Sequence, residues 1–122
     1  MSGLNYIRTK EHFDWLDKCL KCWRTCEDFI AHSIENGRYV NTINICRDVA
    51  EMCSQCIKFE AQRSPFFEQL CEVCADICIS CVKALNEYKN DDVMCKKTAE
   101  ACNDLVAAGM QISQKRKEHS TQ

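Results

Sequence analysis

The chain has 122 residues, 12 of them cysteine, and a formal net charge of −2 from 16 basic and 18 acidic side chains. That length suits one domain with a modest core, and the near-balanced charge sets up no broad field for nucleic acid or an anionic surface. With 3 glycines and 1 proline, a turn-rich all-β fold and a low-complexity disordered chain are both excluded. Residues 1–8 show no basic segment ahead of an apolar run and no small-residue cleavage site. No stretch approaches the roughly 18 apolar residues of a membrane span. The chain is therefore expected to be cytoplasmic, where thiols stay reduced, with no nucleic-acid and no membrane partner.

Four helical segments follow in chain order. The first covers about residues 10–34, with Thr9 as N-cap and Asn36-Gly37 as its stop. The second covers about residues 39–62 and ends ahead of Ser64-Pro65. There Ser64 is placed to cap the third helix and Pro65 to sit in its first turn. The third runs to about residue 88, where Asn90-Asp91-Asp92 breaks it and starts the fourth. The fourth is expected over about residues 92–113, followed by a basic frayed tail at Lys115-Arg116-Lys117. Each segment would be about 35 Å long at 1.5 Å per residue. Short connections between helices of equal length predict an all-α fold: an antiparallel up-down-up-down four-helix bundle, one domain spanning residues 1–122.

The cysteines are ordered within this frame. The first helix carries Cys19, Cys22 and Cys26, and the second Cys46, Cys53 and Cys56. The third carries Cys71, Cys74, Cys78 and Cys81, and the fourth Cys95 and Cys102. Separations within a helix are 3, 4, 7 or 10 residues, which at about 100° per residue confines each set to an arc of roughly 80° or less. C-x2-C-x3-C followed by C-x6-C occurs in each half, suggesting two related helical hairpins. Folding about Gly37 sets Cys26 near Cys46 and Cys19 near Cys56. Folding about Ser64 matches Cys56, Cys53 and Cys46 with Cys71, Cys74 and Cys81, and folding about Asn90 brings Cys78 level with Cys102. The bundle axis is predicted to be lined with thiols, its seams sealed by Leu16, Leu20, Trp23, Ile30 and Ile34.

Several chemistries compete for such a column. Cysteine can serve as a small hydrophobe, which would leave a metal-free interaction bundle, yet twelve on one inward face leave little else at the core positions. Disulfides are opposed by the diverging directions of i, i+3 neighbours on a helix. Structural zinc favours closed tetrahedral sets on turns. The C-x2-C-x3-C-x2-C run from Cys71 to Cys81 echoes an iron–sulfur motif but lacks the following proline and keeps its sulfurs on one helical face. Soft Cu(I) suits thiolates. A metal–thiolate bond of about 2.3 Å places two sulfurs about 4.5 Å apart across a two-coordinate ion, close to the rise between i, i+3 neighbours. About one Cu⁺ per thiolate would also neutralise charges that could not otherwise be buried. Nothing supplies a base-held nucleophile, a glycine-rich phosphate loop or converging carboxylates, so no enzymatic activity is expected.

With its C-x2-C-x3-C runs at Cys19 and Cys71 and C-x6-C pairs at Cys46 and Cys95, the sequence resembles the copper storage proteins, in particular their cytosolic branch. The resemblance covers all four helices. It implies a bundle that stores multiple Cu(I) ions in its core through these twelve cysteines, often as a homo-oligomer. His12, seven residues before Cys19 on the same stripe, and Met110, near the Cys71 level, are candidates for admitting metal. Their plainer alternatives are a surface histidine and a core methionine.

Overall fold

A computed structural model of the protein describes residues 6–88 and 90–120. Residues 1–5, part of the segment bearing on a leader peptide, lie outside the described residues. Among the described residues there are four helices: α1 (Lys10–Asn36), α2 (Val40–Ala61), α3 (Phe67–Asn86) and α4 (Val93–Ser120). Thr9 is extended at the α1 N-cap, and its N–H donates to His12 Nδ1 at 3.2 Å. At the other end Gly37 takes the left-handed conformation, φ 61°. The Gly37 N–H donates to the Ile34 carbonyl and the Arg38 N–H to that of Ser33, closing a Schellman motif that a side chain at residue 37 would strain. Tyr39 also has positive φ, 59°. Its ring is wedged against Phe29 at 5.9 Å and Tyr88 at 4.8 Å, so packing holds a conformation that the residue alone disfavours.

Several boundaries differ from expectation: α1 runs on to Asn36 and α3 stops at Asn86, each two residues from the expected end, and two further differences have a visible cause. The third helix starts at Phe67, not at Pro65: the Ser64 hydroxyl accepts the Phe66 N–H at 3.1 Å and makes a turn of residues 64–66. The basic segment does not fray after residue 113, because α4 continues to Ser120. Arg116 there forms an ion pair with Glu68 of α3.

Each helix packs on two neighbours in the cycle α1–α2–α3–α4, while diagonal helices have no backbone approach. The result is the expected antiparallel up-down-up-down bundle with side chains filling the axis. Trp15, Ile30, Val49, Leu105 and Ile112 are buried along its seams. Leu20 and Ile34, expected there, are 47% and 57% exposed. Leu20 stands about 100° round the helix from Cys19, outside the inward arc, and Ile34 lies in the last turn before Gly37. Aromatic groups close both ends. Trp15 and Phe67 meet edge to face at 4.8 Å under Tyr6 and His12, and at the far end Phe29, Tyr39 and Tyr88 cluster.

Candidate metal centre

All twelve cysteines are free, and all are buried except Cys71, which is half-buried. Their inward direction follows from the heptad-like spacing on each helix. The middle of the axis is the most crowded part. Cys22 and Cys102 sulfurs lie 3.8 Å apart, and Cys22, Cys26 and Cys102 have all three sulfurs within 4.8 Å of one another. Cys102 also touches Cys78 and Cys81, and Cys46 and Cys81 are 3.6 Å apart. Toward the chain termini, Cys53 meets Cys19, Cys22 and Cys74, and Cys56 meets Cys71 and Cys74. The contacts run without a break from Cys71 to Cys46 and Cys81, drawing on all four helices.

The register is regular. Cys26 faces Cys46, while Cys19 faces Cys53 and donates to its carbonyl oxygen at 3.6 Å. Both pairs are equidistant in sequence from Asn36, so the hairpin pivots there. A pivot at Gly37 had set Cys19 beside Cys56, one turn away. The α2–α3 pairs and the Cys78–Cys102 pair meet as expected.

Cys95 is set apart. It is buried, but its thiol faces Asp92 and the Tyr39 hydroxyl, and burial followed by the Asp92 charge pushes its pKa up. It makes none of the thiol contacts just described. Within the column, hydrogen bonds decide which sulfurs can carry charge. Thiols of Cys102, Cys26, Cys53 and Cys78 converge on Cys22 and lower its pKa. Cys53 and Cys56 do the same for Cys74, and Cys102 and Cys46 bring Cys81 down to about 5. The partners are pushed up in turn: Cys102 by Cys22 and Cys26, Cys53 by Cys19 and Cys22, Cys46 by Cys26 and Cys81. Without a cation, a few thiolates exhaust what this interior can hold.

The sulfur geometry matches a soft metal. A triangle of sulfurs with edges of about 4 Å has its centre about 2.3 Å from each corner, the length of a metal–thiolate bond. The Cys22–Cys26–Cys102 set, with one edge of 3.8 Å and none longer than 4.8 Å, needs only small shifts to reach it. A linear two-coordinate ion needs about 4.6 Å between sulfurs by the same bond length, so the 3.6 Å Cys46–Cys81 pair would have to open by about 1 Å.

His12 and Met110 are placed differently. The His12 ring packs against both Tyr6 and Phe67, with Nδ1 accepting the Thr9 N–H and 3.0 Å from the Thr9 hydroxyl. Met110 is 64% exposed, not a core residue, and stands beside Cys71 and Cys74 at the α3–α4 seam. Sequence reasoning passed over Glu60, which is 2% exposed and takes Arg8 Nε at 2.8 Å. Its position four residues after Cys56, on the same inward stripe, was the available signal.

A family model described as copper storage protein matches residues 8–114. A curated relative, the uncharacterized cysteine-rich protein YhjQ of Bacillus subtilis (strain 168), is 27% identical over 100 residues, covering 75% of this chain and 93% of its own. The solved structure of the Cu(I)-bound copper storage protein BsCsp3 superposes with a TM-score of 0.77 at 23% identity, over 84% of this chain and 97% of its own. With matched sequence across every helix and the same bundle, this chain belongs to the copper storage protein family.

Proposed function

We propose that this protein stores multiple Cu(I) ions as thiolate complexes along the axis of its bundle. The unbroken series of sulfur contacts from Cys71 to Cys46 and Cys81 carries this assignment. Cys19, Cys22, Cys26, Cys46, Cys53, Cys56, Cys71, Cys74, Cys78, Cys81 and Cys102 are the proposed ligands, with Cys95 a terminal ligand at most. Each ion that binds replaces thiol protons, so uptake releases H⁺ and leaves an almost neutral column. The proposal assigns no catalytic step to the chain. It places storage in the cytoplasm, where thiols remain reduced and available. A homo-oligomer is proposed on the family resemblance, and Phe13, Leu20, Val73 and Ile79 are exposed apolar side chains that an interface could cover.

Anaerobic titration with Cu(I) against a competing chelator tests this. The expected result is several equivalents bound per chain, with no visible colour. A protein that binds no Cu(I), or that is isolated brown from iron–sulfur clusters, would overturn it.

A further inference from the structure

The thiol column is covered at both ends of its axis. At the end near the chain termini, Trp15 and Phe67 are 2% and 1% exposed, with Tyr6 and His12 laid over Phe67. His12 Nδ1 is occupied by the Thr9 N–H, so a neutral ring carries its proton on Nε2 and offers no lone pair there. At the opposite end Phe29, Tyr39 and Tyr88 cluster beyond the last thiol contacts.

The side wall is different. Between α3 and α4 a cleft of about 290 Å³ leads inward over Cys71 and Cys74 to Trp15, with Gly109 and Met110 on its α4 side. Cys71 is the cysteine left half-buried. Its thiol touches Cys56, which also touches Cys74, so a cation received at Cys71 is already in contact with the column. Met110 places an exposed thioether, a soft ligand, at the rim. The cleft owes its width in part to Gly109, where an added Cβ would meet nothing within 4 Å. Its volume corresponds to about ten waters at ~30 Å³ each, room for a Cu(I) ion that still carries a small thiol.

We propose that Cu(I) enters and leaves the column sideways through this α3–α4 cleft, delivered as a complex with a small thiol and handed first to Cys71. The proposal rests on the storage function. In the transfer, a bond forms between Cu(I) and Cys71 Sγ, the bond to the donor thiolate breaks, and the Cys71 proton leaves on the departing thiol. Copper stays in the +1 state, and no oxidant or reductant is needed.

The test is the rate of anaerobic loading from a Cu(I)–glutathione complex, followed to equilibrium. Gly109→Leu and Gly109→Phe fill the cleft, leave all twelve cysteines in place and favour the helix. Both are expected to load at least tenfold more slowly than wild type while reaching the same final copper content. Lys97→Leu, which fills the separate groove between α1 and α4, is expected to load at the wild-type rate. Should Gly109→Phe lose helicity, Gly109→Leu and Cys71→Ala carry the test, the latter slowing loading far more than the loss of one ligand explains. Wild-type rates in the folded Gly109 variants, or tenfold slowing in His12→Gln, would overturn the side port. If wild type takes up no copper at equilibrium, storage itself fails and the port fails with it; normal capacity with unaltered rates refutes the port alone.

Discussion

Cys71 and Cys95 occupy opposite ends of the inward stripes and have opposite surroundings. Cys71 meets Cys56 and lines the α3–α4 cleft. Cys95 is fully buried and meets Asp92 and Tyr39. One heptad explains the contrast. Starting from the crowded middle, a step of seven residues toward the far end turns Cys22 into Phe29, Cys26 into Ser33, Cys46 into Tyr39, Cys78 into Leu85 and Cys81 into Tyr88. Only the step from Cys102 reaches another cysteine, Cys95. The phase of a stripe decides that a side chain points inward. Whether a thiol there finds another sulfur depends on what three other helices contribute at that level.

The largest effect should come from breaking the sulfur-rich level. Cys102 touches Cys22, Cys26, Cys78 and Cys81, and Cys53 touches Cys19, Cys22 and Cys74. The double substitution Cys53→Ser, Cys102→Ser keeps the side-chain size but supplies a harder, rarely ionised oxygen. The apo variant is expected to remain helical by circular dichroism, since the aromatic ends and apolar seams are untouched. It should bind several fewer Cu(I) equivalents and gain less thermal stability on loading. Each occupied site in wild type contributes about 2.7 kcal/mol at a free Cu(I) level 100-fold above Kd. Wild-type stoichiometry and affinity in this variant would rule out the axial column.

Much of this arrangement was legible before any coordinates. Helix number, direction, the inward placement of the cysteines and most of their cross-helix partners follow from spacings of 3, 4 and 7 residues and short connections. The ends were not legible. Tyr6 and Arg8 precede the first helix, so no periodicity reveals that they fold back onto Phe67 and Glu60. Pro65 looked like the first residue of a helix, but the Ser64 hydroxyl satisfies the Phe66 N–H and delays the start to Phe67. The cleft depends on an absent side chain at Gly109, and composition gives no sign of where a missing Cβ will open space. Leu20 and Ile34 show the converse error, apolar residues near the stripe whose angle or height takes them out of the seam.

A smaller effect sharpens the comparison of the two ends. Cys95→Ser leaves the contacts from Cys71 to Cys46 and Cys81 intact. Copper content is expected to fall by no more than one equivalent, and the rise in melting temperature on loading should match wild type. Loss of two or more equivalents would place Cys95 within the cooperative column and remove the distinction drawn from its Tyr39 and Asp92 surroundings.

The smallest effect concerns the cover near Cys71 in the metal-free protein. Arg8, bonded to Glu60, holds its carboxyl below the usual carboxylate range against the opposing cost of burial, and His12 adds to the attraction. Burial, reinforced by the same carboxylate, raises the pKa of Tyr6. A group whose folded-state pKa is depressed contributes stability above its unfolded value, about 4.3 for glutamate. That contribution is lost as pH falls through the lower folded value. Apo wild type should therefore lose stability progressively as pH is lowered from about 5 toward 3. Glu60→Gln should be less stable at pH 7, where Arg8 and the Tyr6 hydroxyl lose their charged acceptor, and its stability should change less over the acid range. Chemical unfolding of both proteins at pH 7, 5, 4 and 3 measures this. Parallel curves would mean that the Arg8–Glu60 pair contributes nothing to holding the aromatic cover in place, and that Trp15 and Phe67 close this end by packing alone.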